Sequence, residues 1–238
     1  AYMTAHKIVS PAEWLEARKR FLAEEKAFTQ ARDRLSAARR DLPWVRVEKT
    51  YAFETPRGTK TLADLFDGRS QLIVQHFMFA PDWTDGCKGC SFWADGYNGF
   101  VVHLHQRDTS FVAVSRAPLA KLDGYAKRLG WDFPWVSSGD GDFSYDFDVS
   151  FHQDGNGQKD VTYNFTPTKS GMTDLPGISV FYRDADGAIY HTYSAYARGL
   201  EMMNAASHYL DLTPKGRDED NLPYPMDWVR IHDRYERR

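Results

Sequence analysis

The chain reads as an α/β fold, and three observations predict it. Leu72-Ile73-Val74-Gln75-His76-Phe77-Met78-Phe79 is nearly continuous in apolar character, as a strand covered on both faces must be. Around it, helix-compatible and strand-compatible segments alternate: Ser91 to Gln106, Phe111 to Val114, then Leu119 to Leu129. Late in the chain, Ile178 to Arg183 and Ala188 to Ser194 flank the turn Asp184-Ala185-Asp186-Gly187, the pattern of an antiparallel hairpin.

Taken in order, the first element is a helix from about residue 11. Ser10 can cap its free amides, Pro11 suits the first helical position and Glu13 closes the capping box. Trp14, Phe21, Phe28 and Leu35 recur every seven residues up to about Arg40, in an otherwise charged segment. The expected role of this stripe is docking on the chain's own core, because Glu24 interrupts the second apolar seam. The alternative is a helical pairing surface in a homodimer, since seven residues is the coiled-coil repeat.

Leu42-Pro43 ends the helix, Val45 to Phe53 alternates as a half-buried strand does, Pro56-Arg57-Gly58 turns, and Thr61 to Phe66 suits a short helix. From Trp131 to Lys169 the rhythm breaks into Asp, Gly, Ser and aromatic residues, the mark of an insertion, bounded at about 131–172. A helix from about Leu200 to Leu210 follows the hairpin, and the tail from Pro214 carries Trp228, Ile231 and Tyr235, which can pack back. The organisation is therefore an N-terminal helical extension (1–40), an α/β domain with its insertion (41–213) and a C-terminal tail (214–238).

With 238 residues, 42% hydrophobic content and 15% aromatics, the chain can build a core without staples. A formal charge of −3 without single-sign runs argues against nucleic acid or an anionic membrane as partner. No apolar stretch reaches the length of a membrane span, and the N-terminus lacks a secretory pattern, so the expected address is the cytoplasm. Ala1 and Tyr2 precede Met3 and read as an added leader.

The chemistry lies in Cys87-Lys88-Gly89-Cys90, which holds the only two cysteines of the chain, between the apolar run and a helix-compatible stretch. Two thiols so placed can cycle between dithiol and disulfide, and the order strand, Cys-x-x-Cys, helix reads as a redox motif. Only a thiolate attacks, so a helix beginning at Cys87 would help by turning free amides toward the first sulfur, with Lys88 adding to this and Asp82 and Asp85 opposing it. The first thiol is then the attacker and Cys90, one turn in, the resolver of a mixed disulfide.

Zinc would need four ligands, and no second Cys or His pair stands at finger spacing; His103 and His105 on a helix would diverge. No metal and no cofactor beyond the thiol pair is expected. Asp154-Gly155-Asn156-Gly157-Gln158-Lys159-Asp160 begins like a calcium loop but lacks its closing acidic residue, so it reads as a polar turn.

Thr61 to Gly68, then Leu72 to Phe79, then Trp83 and Cys87 resemble the entry of the thioredoxin and peroxiredoxin superfamily. Leu175-Pro176-Gly177 followed by the hairpin resembles its close, which implies a cis bond at Pro176 facing the cysteines. More closely, His76 to Phe79, Gly86 to Trp93, Ser115-Arg116-Ala117-Pro118, Trp135 to Ser138 and Tyr196-Ala197-Arg198-Gly199 look like the DUF899 family of predicted dithiol-disulfide oxidoreductases.

The resemblance implies a thioredoxin-like fold and exchange with a disulfide-containing protein or small molecule, with Pro176, Trp83, Thr84, Lys88 and Arg116 as docking or supporting residues. Pro81, Thr84 and Cys87 also echo the peroxiredoxin Pro-x-x-x-Thr-x-x-Cys pattern with the proline one residue too close, and Arg116 could supply that family's cation if the fold brings it near. A thiol peroxidase is therefore the alternative enzyme, and a thioredoxin-fold binding module the alternative of another class. Gly86, in place of the tryptophan that precedes a thioredoxin's first cysteine, is a departure.

Overall fold

The structure is a computed structural model that describes residues 6–152 and 159–236. In chain order it contains α1 (Pro11–Arg40), β1 (Val45–Arg46), β2 (Ala52–Thr55), β3 (Gly58–Thr61), α2 (Leu62–Leu65), β4 (Gln71–His76), α3 (Lys88–Ala94), α4 (Tyr97–His105) and β5 (Thr109–Ser115). It continues with α5 (Leu119–Leu129), β6 (Trp135–Ser137), α6 (Phe143–Asp146), β7 (Lys159–Tyr163), β8 (Thr166–Ser170), β9 (Gly177–Arg183), β10 (Ile189–Tyr196) and α7 (Ala205–Leu210).

Eight strands form one sheet in the order β1-β10-β9-β4-β5-β6-β2-β3. At its centre β5 and β4 run parallel, β9 pairs antiparallel with β4, and β10 pairs antiparallel with β9. Parallel strands β4, β5 and β6 joined by helical crossovers, with an antiparallel hairpin closing the sheet beside β4, make the thioredoxin-like arrangement that the sequence predicts.

Strand β4 is the seam between two cores because alternate side chains leave on opposite faces. Leu72 and Val74 join Phe53, Phe66, Val112, Val114, Phe143 and Phe181 on one face. Ile73 and Phe77 join Phe79, Cys90, Tyr97, Leu122, Trp131 and Trp135 on the face covered by α3, α4 and α5. Beyond His76 the chain leaves the sheet but stays buried through Ala80, which explains why the apolar run outlasts the strand.

The N-terminal helix forms as predicted, with Ser10 and Glu13 making the full capping box. Its expected docking does not occur. None of its residues is buried, and Phe28 is 71% exposed and Leu35 62% exposed. The body's edge is already occupied, since β1 pairs with β10 and Trp44 packs at a tilt against Tyr182 and Tyr190. The heptad stripe therefore faces solvent, as a pairing surface requires.

Other departures have local causes. The single helix expected over Ser91 to Gln106 breaks at Asp95-Gly96, where Asp95 accepts from Trp131 Nε1 at 2.9 Å and from His232 Nδ1 at 2.6 Å. Leu200 to Leu210 splits into a 3-10 segment and α7 around Asn204, whose side chain bonds the Trp93 indole. Within the expected insertion, Trp135–Ser137 joins the main sheet beside β5, held by the buried Trp135 and Val136, while β7 and β8 form a separate hairpin. Most of the calcium-like loop, 154–158, lies outside the described residues.

The tail packs back through Val229 and Ile231, both buried, and through the Phe92–Trp228 ring contact. Among the described residues no helix is long and apolar enough to cross a membrane.

Candidate active site

Strand β4 ends at His76, and the loop after it returns Cys87 to the sheet's end, where the Cys87 amide donates to the Met78 carbonyl at 3.0 Å. Gly86 is required by this close approach: a Cβ there would lie 2.7 Å from Phe77 Cε1. A tryptophan at this position would collide with that ring, which accounts for the departure from the thioredoxin pattern.

Cys87 is the N-cap of α3, and Cys90 lies one turn inside it. Ser91 secures this turn: its amide and its hydroxyl both donate to the Cys87 carbonyl at 2.9 Å, and the hydroxyl also bonds Tyr125 Oη at 2.9 Å.

Both cysteines are free thiols, Cys87 partly exposed and Cys90 buried. Their environments separate them. Cys87 is lowered to about 7, first by the hydrogen bond from the Cys90 thiol and then by the amides of Cys90 and Gly89 and the Lys88 charge, against an opposing effect of burial. Cys90 is pushed well above the ordinary thiol range by burial and by its bond to Cys87 and the charge there, while the Met78 amide and the Gln75 side chain pull it down.

The supporting residues fall into two groups. Lys88 is next to the thiols, but its ammonium donates to the Asp227 carbonyl at 3.0 Å and lies over the Tyr224 ring, so the C-terminal segment holds it. Trp83 packs half-buried against the aromatic core, its carbonyl accepting from Lys121 Nζ at 2.9 Å, whereas Thr84 is exposed. Arg116 is committed elsewhere: its guanidinium clamps Asp174 with bonds of 2.8 and 2.6 Å and reaches Tyr145 Oη at 3.3 Å. Its charge is not among those that act most on Cys87.

The expectation of a cis bond at Pro176 is corrected, because there is no cis peptide among the described residues. The chain arrives at Pro176 already extended, with Asp174 bridged to Ser150 and the Leu175 amide bonded to the Val149 carbonyl at 2.9 Å, so no reversal is needed before Gly177 pairs with His76. The Pro176 carbonyl accepts from Tyr163 Oη at 2.7 Å, and that hydroxyl accepts from the Ala197 amide at 3.0 Å.

Three residues near the thiols have no place in the motif. Gln75 is buried on the β4 face that packs on the thiol helix, Tyr97 shares the buried core of Cys90, and the charge of Cys90 adds to the burial that raises Tyr97 and Tyr163 of the β7–β8 hairpin. Gln75 was signalled by a polar side chain inside a strand buried on both faces; Tyr163 had no signal, since only the fold brings its hairpin here.

The family pattern described as "Bacterial protein of unknown function (DUF899)" matches residues 3–235. The chain belongs to the DUF899 family. No curated protein matches it in sequence. Among solved structures it is similar to the peroxidoxin BcpB of Mycobacterium tuberculosis (15% identity, 69% of this chain and 94% of that one, TM-score 0.48). It is similar as well to peroxiredoxin Q of Xanthomonas campestris (16% identity, 74% and 99%, TM-score 0.48). A third likeness is to the mitochondrial 2-Cys peroxiredoxin of Plasmodium falciparum (11% identity, 71% and 92%, TM-score 0.41).

Proposed function

We propose that this DUF899 protein is a thiol-disulfide oxidoreductase. The observation that carries the reading is the division between its two thiols: a partly exposed Cys87 lowered to about 7, and a buried Cys90 raised by that burial and by its bond to Cys87. In the proposed cycle the Cys87 thiolate attacks one sulfur of a substrate disulfide. The substrate S–S bond breaks, one half leaves as thiol after taking a proton, and a Cys87 mixed disulfide forms. Cys90 then attacks Cys87, releases the second half as thiol and leaves an intramolecular Cys87–Cys90 disulfide. An external thiol or dithiol returns the pair to its reduced state, and the exchange step needs no cofactor. A disulfide-containing protein or small molecule is the proposed substrate class.

The experiment is trapping with paired variants. Cys90→Ser is expected to accumulate mixed disulfides that reductant releases, and Cys87→Ser to accumulate few. Equal trapping by Cys87→Ser would exchange the roles. Rapid, saturable oxidation of Cys87 to a sulfenic acid by hydrogen peroxide, with sluggish disulfide exchange, would replace this reading with a thiol peroxidase. Arg116 is poorly placed for the latter, because a guanidinium clamped on Asp174 has less charge to offer a breaking peroxide bond.

A further inference from the structure

Helix α1 is 30 residues long and none of them is buried, so its apolar side chains form an unpartnered face of the fold. Arranged in heptads, its seam sets large residues beside small ones. Trp14, Phe21, Phe28 and Leu35 hold the first core position, and Ala17, Glu24, Ala31 and Ala38 hold the second, three residues on. A repeat of about 3.5 residues keeps facing another helix along its whole length, whereas a helix lying on a globular body follows a period of about 3.6.

The seam is complementary to its own reverse. In an antiparallel pair in full overlap, Trp14 lies level with Ala38 of a second copy, Ala17 with Leu35, Phe21 with Ala31, and Glu24 with Phe28. Bulky side chains then meet alanines, and Glu24 meets a ring. In a parallel pair each residue meets its own copy: bulky against bulky, alanine against alanine, and Glu24 against Glu24, like charges across the seam.

Charge points the same way. From Lys26 to Arg40 the helix carries five basic residues against Asp33 alone, while its first half sets Glu13, Glu16, Glu24 and Glu25 against three basic residues. Antiparallel packing lays each basic half beside the acidic residues of the other copy, and parallel packing would lay basic on basic. On the rim, Arg18 is already paired with Glu25 at 2.7 Å.

The surface is also large enough. Trp14, Leu15, Phe21, Leu22, Phe28 and Leu35 are 38–71% exposed. At about 200 Å² per side chain, they offer about 650 Å² a copy and about 1,300 Å² a pair, within the range of about 1,200–2,000 Å² for specific interfaces. The same overlap brings the exposed Ile8 of one copy to the end of the other where Leu42 and Trp44 are exposed, which extends the contact beyond the helix.

We propose that α1 is a self-association surface whose partner is a second copy of this chain, the two helices packing antiparallel along the seam from Trp14 to Leu35. A twofold axis through the middle of the seam closes the contact, so the product is a dimer and not a filament. The pairing goes beyond the thiol chemistry and does not depend on it.

The test is sedimentation velocity of the full chain over a range of concentrations, which is expected to show a species of twice the mass of one chain. Phe28→Glu sets a second carboxylate opposite Glu24 and should weaken dimerisation by about 100-fold, the scale of a lost central anchor. Lys26→Ala, on the far side of the helix, should leave it within about threefold. Since the body does not hold α1, the urea transition of the body reports separately that Phe28→Glu is folded.

Orientation is read by crosslinking Ala17→Cys and Leu35→Cys, each made in a chain that also carries Cys87→Ser and Cys90→Ser. Oxidation should join the two when they are mixed and neither when it is alone. A monomer at every concentration, a dimer that Phe28→Glu leaves intact, or a variant that crosslinks to itself would overturn the inference. The thiol-disulfide reading stands in all three cases.

Discussion

At the scale of single residues, the proposal of Cys87 as attacker rests on hydrogen bonding at one sulfur. Cys87 receives bonds from the Cys90 thiol and from the amides of Gly89 and Cys90, all of which favour its anion, while Cys90 has low-dielectric packing around it. A group that loses its proton near neutrality reacts faster as pH rises, because only the anion attacks. Alkylation of Cys87 should therefore increase about tenfold per pH unit below its midpoint and level off above it, following the thiolate fraction. The midpoint is expected at about 7, and peptide mapping across pH with iodoacetamide reads it. A midpoint at the ordinary thiol value of about 8.5, or preferential labelling of Cys90, would remove the assigned roles.

At the scale of elements, α1 makes the sharpest contrast with sequence expectation. Its capping box and heptad apolar residues specify a helix, but none of its residues is buried against the body. Because Phe28 is 71% exposed, Phe28→Glu should change urea-unfolding stability of the body by less than about 0.5 kcal/mol, the range of ordinary surface substitutions. A docked helix would instead lose about 3–5 kcal/mol on truncation of such a side chain, so a large loss would restore the docking expectation. The helix α3 is the opposite case: too short to persist alone, it is held by Ser91 on the Cys87 carbonyl and by the packing of Cys90 and Ala94.

At the scale of the molecule, the C-terminal segment closes over the thiol helix. Arg234 bonds Asp85 at 2.7 Å, His232 bonds Asp95, Asp233 pairs with Arg128 at 3.1 Å, and Ile231 enters the thiol-side core. The surface ion pairs contribute little individually, so the apolar anchor dominates. Ile231→Ala should cost about 2–4 kcal/mol in urea unfolding, a buried-methylene loss that Asp233→Asn would not reproduce. An effect below about 1 kcal/mol would mean the tail is not fastened through this side chain.

What was legible in the sequence was local or periodic. The Ser10 to Glu13 box, the helix Leu119–Leu129, the strand around Val74 and the hairpin turn at Asp184 to Gly187 each depend on contacts among near neighbours or on a buried face's repeat. The thiol pair was legible too, because a spacing of three residues at a helix start sets Cys90 one turn after Cys87.

The commitment of Arg116 to Asp174, the trans bond at Pro176, the exposure of α1 and the burial of Gln75 and Tyr97 on the thiol side of the sheet were not legible. Each depends on which distant segments become neighbours. By itself the sequence determined most of the elements and set the two thiols side by side. Only the tertiary structure decided what surrounds them, because burial and hydrogen-bond partners across the sheet are properties of packing, and packing is where residues far apart in the chain first meet.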